Sequence, residues 1–152
     1  MTPLPFFSLQ ITAAGPVLIA YVGVSHARSA AIRAAGQQVP QAQQISALVD
    51  TGASGTCIEP SVLRALGVSP TGMVPINTPS TGNTPHTAYQ YDVSILVPGA
   101  SNAHPPLIVE NLPVIEAQLI HAQGFHALIG RDVLSQCLLN YDGQAGFFTL
   151  AY

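Results

Sequence analysis

The chain contains no lysine, and its only basic side chains are Arg28, Arg33, Arg64 and Arg131. Charged residues make up 7% of the 152 positions, and the net charge is −3. Such a chain has no cationic surface with which to neutralise phosphates, so neither nucleic acid nor an anionic membrane is an expected partner. Cysteine is equally scarce. Cys57 and Cys137 stand alone, without CxxC spacing, and cannot build a metal cluster by themselves. One disulfide between them is open; two free buried thiols acting as small apolar side chains are the expectation. No apolar run approaches the ~20 residues that span a bilayer. The opening MTPLPFFSLQITAAG lacks the positive stretch of a secretion signal, which makes a cytoplasmic protein without a membrane segment the expectation. His26, His86, His104, His121 and His126 are scattered, with no HxH or HExxH, so no metal and no cofactor is expected. Ser54 and Ser61 lack a GxSxG setting, which removes a serine hydrolase.

What remains is apolar and turn-rich. Hydrophobic residues form 48% of the chain, with 13 glycines and 13 prolines, a composition of short strands and many turns around one core. Phe6 to Thr12 and Val17 to Val24 read as strands, joined as a hairpin by Ala-Ala-Gly-Pro. His26 to Gln44 is Ala- and Gln-rich; Gly36 and Pro40 interrupt it, and it reads as a long insertion loop. Ile45 to Val49 resumes strand character. Glu59 to Gly67 is a helix, with Pro60 suited to its first turn and Gly67 to its end. Val74 to Val97 holds two extended stretches around the turn Thr78–Asn83, with Tyr89 to Val97 a strand. Leu107–Val109, Leu112–Ile115 and Ala127–Gly130 are short strand candidates, and Arg131 to Cys137 is a second helix. Asp142-Gly143 closes a final hairpin between Leu138–Tyr141 and Phe147–Ala151.

The chemistry concentrates at Ala47-Leu48-Val49-Asp50-Thr51-Gly52-Ala53-Ser54. An apolar strand delivers one acid into a turn of small residues. A carboxylate beside aliphatic side chains is costly unless hydrogen-bonded or used. Gly52 lets backbone approach the acid, and the setting suits a carboxylate that holds a water molecule. Asp50-Thr51-Gly52-Ala53 resembles the catalytic motif of the pepsin-like and retroviral aspartic proteases. Further matches follow in order: Gln90-Tyr91-Asp92; then Leu128-Ile129-Gly130-Arg131-Asp132-Val133-Leu134, similar to the family's second signature; then Cys137-Leu138-Leu139-Asn140-Tyr141. The resemblance covers Val17 to Tyr152.

The resemblance implies an all-β, closed-barrel retropepsin-like domain over residues 1–152, one lobe per chain, with one or two short helices. Aspartic protease chemistry needs two facing carboxylates that share a proton. Since the chain has one Asp-Thr-Gly, the second acid must come from another copy about a two-fold axis. The implied protein is a homodimeric endopeptidase acting on an extended peptide or protein. Asp50 is its catalytic acid, and Thr51, Gly52 and Ala53 support the active-site loop. The resemblance places a flap at about 74–91, with its tip at Ser80, Thr81, Gly82 and Asn83. It places Cys57, Phe125, His126 and Leu128 in the specificity pockets. Gly130, Arg131 and Asp132 are structural, and Phe6 to Thr12 with Phe147 to Ala151 would tie the copies together. Ser54 departs from the viral pattern, where an aspartate pairs with the arginine of the second signature. Arg131 is left to find Asp132 or a carboxylate from elsewhere in the dimer. That departure, with a flap tip poor in glycine, motivates an alternative: a catalytically silent dimer of this fold serving as a peptide-binding or assembly module.

Overall fold

The computed structural model describes residues 3–77 and 82–152, apart from the side chains at 121 and 122. In chain order the elements are β1 (Phe6–Gln10), β2 (Val17–Val24), α1 (His26–Ala34), β3 (Gln43–Val49), β4 (Cys57–Ile58), α2 (Pro60–Leu66), β5 (Gly72–Ile76) and β6 (His86–Val97). They are followed by β7 (Leu107–Glu116), α3 (Ile120–Gln123), β8 (Ala127–Ile129), α4 (Arg131–Leu134), β9 (Leu138–Asp142) and β10 (Phe147–Ala151).

Alternation of apolar residues builds a barrel. Along β2, Leu18, Ala20, Val22 and Val24 are buried, and along β3 Ile45, Ala47 and Val49 are, the two-residue period of a strand with one face inward. The strands run in the order β2-β3-β8-β4-β7-β6-β5, and β2 also pairs with β6. Six strands therefore close into a ring, with β5 hanging on β6 outside it. Closure leaves the ring strands without free edges. Val93, Val114, Ile58, Ile129 and Leu63 fill the interior. Among the described residues, no helix is long and apolar enough to cross a membrane.

Several expectations are corrected here. Residues 26–34 form a helix, not a loop: the Ser25 hydroxyl accepts from the Arg28 amide, and Gly36 (φ 69°) ends the turn, so glycine and proline limit the helix rather than forbid it. The segments 6–12 and 17–24 do not form a hairpin with each other. β1 pairs with β10 from Phe6↔Ala151 to Gln10↔Phe147, and β10 pairs with β9. A second sheet, β1-β10-β9, results. The two short strand candidates near residue 110 are one strand, β7, which pairs with β6 across an irregularity between Val93 and Ile95. The helix at 60–66 is as expected, with Pro60 in its first turn and Gly67 left-handed at φ 65°.

Candidate active site

Parallel pairing of β3 with β8 sets Val49 beside Ile129, so both strands deliver their next residues, Asp50 and Gly130, to one place. The Asp50 amide donates to the Ile129 carbonyl at 2.9 Å. The Asp50 carboxylate Oδ1 accepts from the Gly52 amide at 2.9 Å, and the half-buried acid is thereby held in a defined direction. A Cβ on Gly52 would stand 3.1 Å from that same oxygen, which explains glycine at this position. Thr51 and Gly52 are exposed and Ala53 is half-buried. The loop therefore presents its tip at the surface of the molecule.

Behind the loop is a knot of hydrogen bonds centred on Thr56, which is fully buried. Its hydroxyl donates to Asp132 Oδ1 at 2.7 Å and accepts from the Gly130 amide at 3.1 Å. Its amide donates to Asp132 Oδ2 at 2.9 Å. Arg131 closes the arrangement: its amide donates to the Ala53 carbonyl at 2.9 Å and its guanidinium Nη1 to the Thr51 carbonyl at 2.8 Å. Two backbone segments pass so closely here that a Cβ on Gly130 would meet Gly55 carbonyl atoms at 2.6 Å. These bonds tie the second signature to the acid loop. Of the partners left open for Arg131, Asp132 is engaged otherwise. Thr56 occupies that carboxylate, and the guanidinium serves a loop carbonyl instead.

The four expected pocket residues divide. Cys57 pairs with Leu128, and Leu128 with Leu48 on the neighbouring strand. These three half-buried side chains form one row on the outer face of the barrel. Leu48 lies two residues before Asp50 and so belongs to the same side of the strand; sequence reasoning passed over it, although that two-residue period marks it. Both cysteines are free. Burial, then the charges of Asp132 and Asp50, push the Cys57 thiol above its ordinary value. Phe125 is 4% exposed, and its place in a pocket wall is corrected: alternation along 125–129 turns it inward with Ala127 and Ile129. His126 is tied to β3, its Nδ1 accepting from the Ser46 amide at 3.2 Å.

Another residue was missed. Glu59 is buried, and its Oε2 accepts from the amides of Leu119 and Ile120, fastening the start of α3 to the start of α2. Of the expected flap, β5 and β6 form the hairpin arms, from Gly72↔Gln90 to Ile76↔His86. Gly82 and Asn83 are exposed in a turn; Ser80 and Thr81 lie outside the described residues. Among the described residues, no group of three or more His, Cys, Asp or Glu converges as metal ligands would.

The family model of the aspartyl proteases matches residues 31–139, more than half of the chain and inclusive of both signatures. The chain belongs to that family. It is also similar in structure to a retropepsin-like aspartic protease from Rickettsia conorii. The TM-score is 0.60 over 98% of this chain and 92% of the other, with 15% sequence identity. The fold is therefore retropepsin-like. No curated protein matches the chain.

Proposed function

We propose that the protein is an aspartic endopeptidase, active as a homodimer to which each copy brings one Asp50. The observation that carries this reading is the acid loop itself. A half-buried carboxylate is aimed by the Gly52 amide, and its exposed tip is braced by Arg131 and by the Thr56–Asp132 knot. That much rigidity around an acid open to solvent is the preorganisation that general acid–base chemistry needs.

In the proposed mechanism the ionised Asp50 of one copy takes a proton from a bound water, which attacks the scissile carbonyl. The protonated Asp50 of the other copy stabilises the carbonyl oxygen and protonates the leaving nitrogen. The pair titrates as a unit. Thr51 of each copy braces the two loops across the axis, and Gly52 offers its carbonyl to substrate backbone. An extended peptide lies beneath the flap formed by β5, β6 and the turn at Gly82 and Asn83. Leu48, Cys57 and Leu128 form its apolar pocket wall, with His126 at the margin.

The topology also supports a particular way of pairing. β10 is hydrogen-bonded on both sides within its own chain, whereas β1 and β9 are the outer strands of that sheet; of these we favour β9 as the strand that joins the copies. β9 has an open edge, with Leu138 67% and Tyr141 56% exposed and no lysine or proline to blunt it. It follows directly from α4, which carries the Arg131 brace. Joining β9 to β9 about a two-fold axis would make one continuous sheet and bring the acid loops together.

The test is Asp50→Asn. Cleavage of a diverse peptide library should disappear while sedimentation still reports a dimer. Cleavage that survives the substitution removes the reading.

A further inference from the structure

We propose that the hollow between α1 and the outer wall of the barrel binds a free α-amino acid, whose carboxylate meets Arg33 and whose ammonium meets Glu110. The inference goes beyond the protease reading and does not depend on it, because the hollow lies at the other end of the barrel. β2 begins with Val17 opposite Leu48, two residues before Asp50, and runs to Val22 opposite Gln43, at the far end of β3. α1 starts just beyond β2, and its Ala27 amide donates to Asn111 Oδ1 of β7 at 3.1 Å, which ties the helix to the wall. Two faces meet there. On the helix, His26, Ser29 and Arg33 stand at i, i+3 and i+7 and share one side. On the sheet, Val93, Ile95 and Val97 are buried inward, so Ser94 turns outward. The register Leu96↔Ile108 sets Ile108 outward as well, and Glu110 follows two residues on. These six residues line a hollow of about 230 Å³, room for one small molecule rather than a length of peptide.

The charges in the hollow are opposed and uncommitted. His26, Arg33 and Glu110 are the titratable groups that line it, and among the described residues their side chains make no ion pair and no hydrogen bond. Ser29 is only 9% exposed, yet its hydroxyl has no partner among the described residues either. A hydroxyl so deeply set is ordinarily satisfied, and a ligand atom in the hollow would satisfy it. Arg33 presents a planar fork of donors that matches a carboxylate, whereas Glu110 has only acceptors, which suit an ammonium. A simple anion would be repelled by Glu110 and a simple cation by Arg33. A molecule that carries both charges on one carbon meets neither repulsion. Ile108, 51% exposed, offers an apolar contact to its side chain.

The experiment titrates the full chain with L-leucine, leucinamide and isocaproate and follows the backbone amides by NMR. Leucinamide keeps the ammonium and lacks the carboxylate; isocaproate keeps the carboxylate and lacks the ammonium. Leucine should shift the amides of Ser29, Ser94, Ile108 and Glu110 saturably, with the other two about tenfold weaker, the scale of one hydrogen bond to a charged group. Arg33→Gln should bring the ratio of leucine to leucinamide close to one while leaving the preference over isocaproate. Glu110→Gln should do the reverse, and both variants change exposed side chains, so the fold is kept. His26→Gln should leave both ratios in place. Three ligands that bind alike, a preference that survives the matching substitution, or no shift at these amides up to the solubility of leucine overturns the assignment. The protease reading stands in each case.

Discussion

Replacing Thr56 by valine keeps the shape of the side chain and removes one oxygen. In the native fold that oxygen serves two groups: it donates to Asp132 Oδ1 at 2.7 Å and receives the Gly130 amide at 3.1 Å. No solvent reaches the position, since Thr56 is 0% exposed. The variant therefore loses a hydrogen bond to a charged acceptor, about 1.5–3 kcal/mol, and strands a buried amide, a further 1–3 kcal/mol or so. Asp132 keeps the amides of Thr56 and Val133, so the carboxylate is weakened but not abandoned. A total of about 3–5 kcal/mol is expected, a large part of a domain's ~5–15 kcal/mol. With an m-value near 2 kcal/mol/M, the urea midpoint should fall by roughly 1.5–2.5 M. Thr56→Ser retains the oxygen and deletes one methyl, and should cost only about 1 kcal/mol. Equilibrium urea unfolding of the three proteins, with m checked for constancy, decides the matter. If valine costs less than serine, or less than about 1 kcal/mol, the hydroxyl is not the centre of the brace and the reasoning fails.

Gly130→Ala should be worse than its small size suggests. The new methyl meets backbone of Gly55 at 2.6 Å, which cannot rotate away, and overpacking of this kind costs about 1–3 kcal/mol or more; thermal melting measures it, and an unchanged midpoint would refute the close crossing. Leu138→Lys places a charge on the open edge of β9 and should yield a folded monomer without peptidase activity, read by sedimentation together with circular dichroism. A variant that remains dimeric and active would assign the contact elsewhere. Cys57, Cys137, Tyr91 and Tyr152 are all raised above their ordinary values of 9.0 and 10.0, mainly by burial. Each stays protonated in the fold at pH values where the unfolded chain has released its proton. The stability they contribute is complete below about pH 9 and is lost as the pH rises through the folded values. Melting temperatures from pH 7 to 11 should decline at the alkaline end, and a flat profile would contradict the burial of these groups.

Local pattern made much of this molecule readable. Leu18, Ala20, Val22 and Val24 announce β2 by alternation, Pro60 and Gly67 bracket α2, and Asp142-Gly143 turns the last hairpin. Asp50 stood out because an apolar strand ends on an acid followed by small residues. What escaped reading depends on partners distant in sequence. β1 looks like half of a hairpin until β10 is available to pair with it. α3 has four residues, and its first amide is held by the carboxylate of Glu59, 61 positions earlier. Thr56 looks like any threonine until Gly130 and Asp132 arrive beside it. α1 is the exception, because the Ser25 cap is a local signal that the following glycine and proline outweighed. Phe125 was misplaced for want of a register: only the pairing of 127–129 with β3 says which way residue 125 faces.

The marriage of β1 to β10 has a kinetic side. The Ser8 and Thr149 hydroxyls meet across 141 residues of chain, and nearly every strand of the barrel is made in the interval. A contact of such span forms against a large loop-closure entropy, and proteins dominated by distant pairings fold in milliseconds to seconds rather than microseconds. Until that clasp shuts, Phe7, Phe148 and Leu150, all buried in the finished fold, stay in water. A chaperone that recognises apolar strands would find this stretch during the delay, and refolding yields should fall steeply as protein concentration rises.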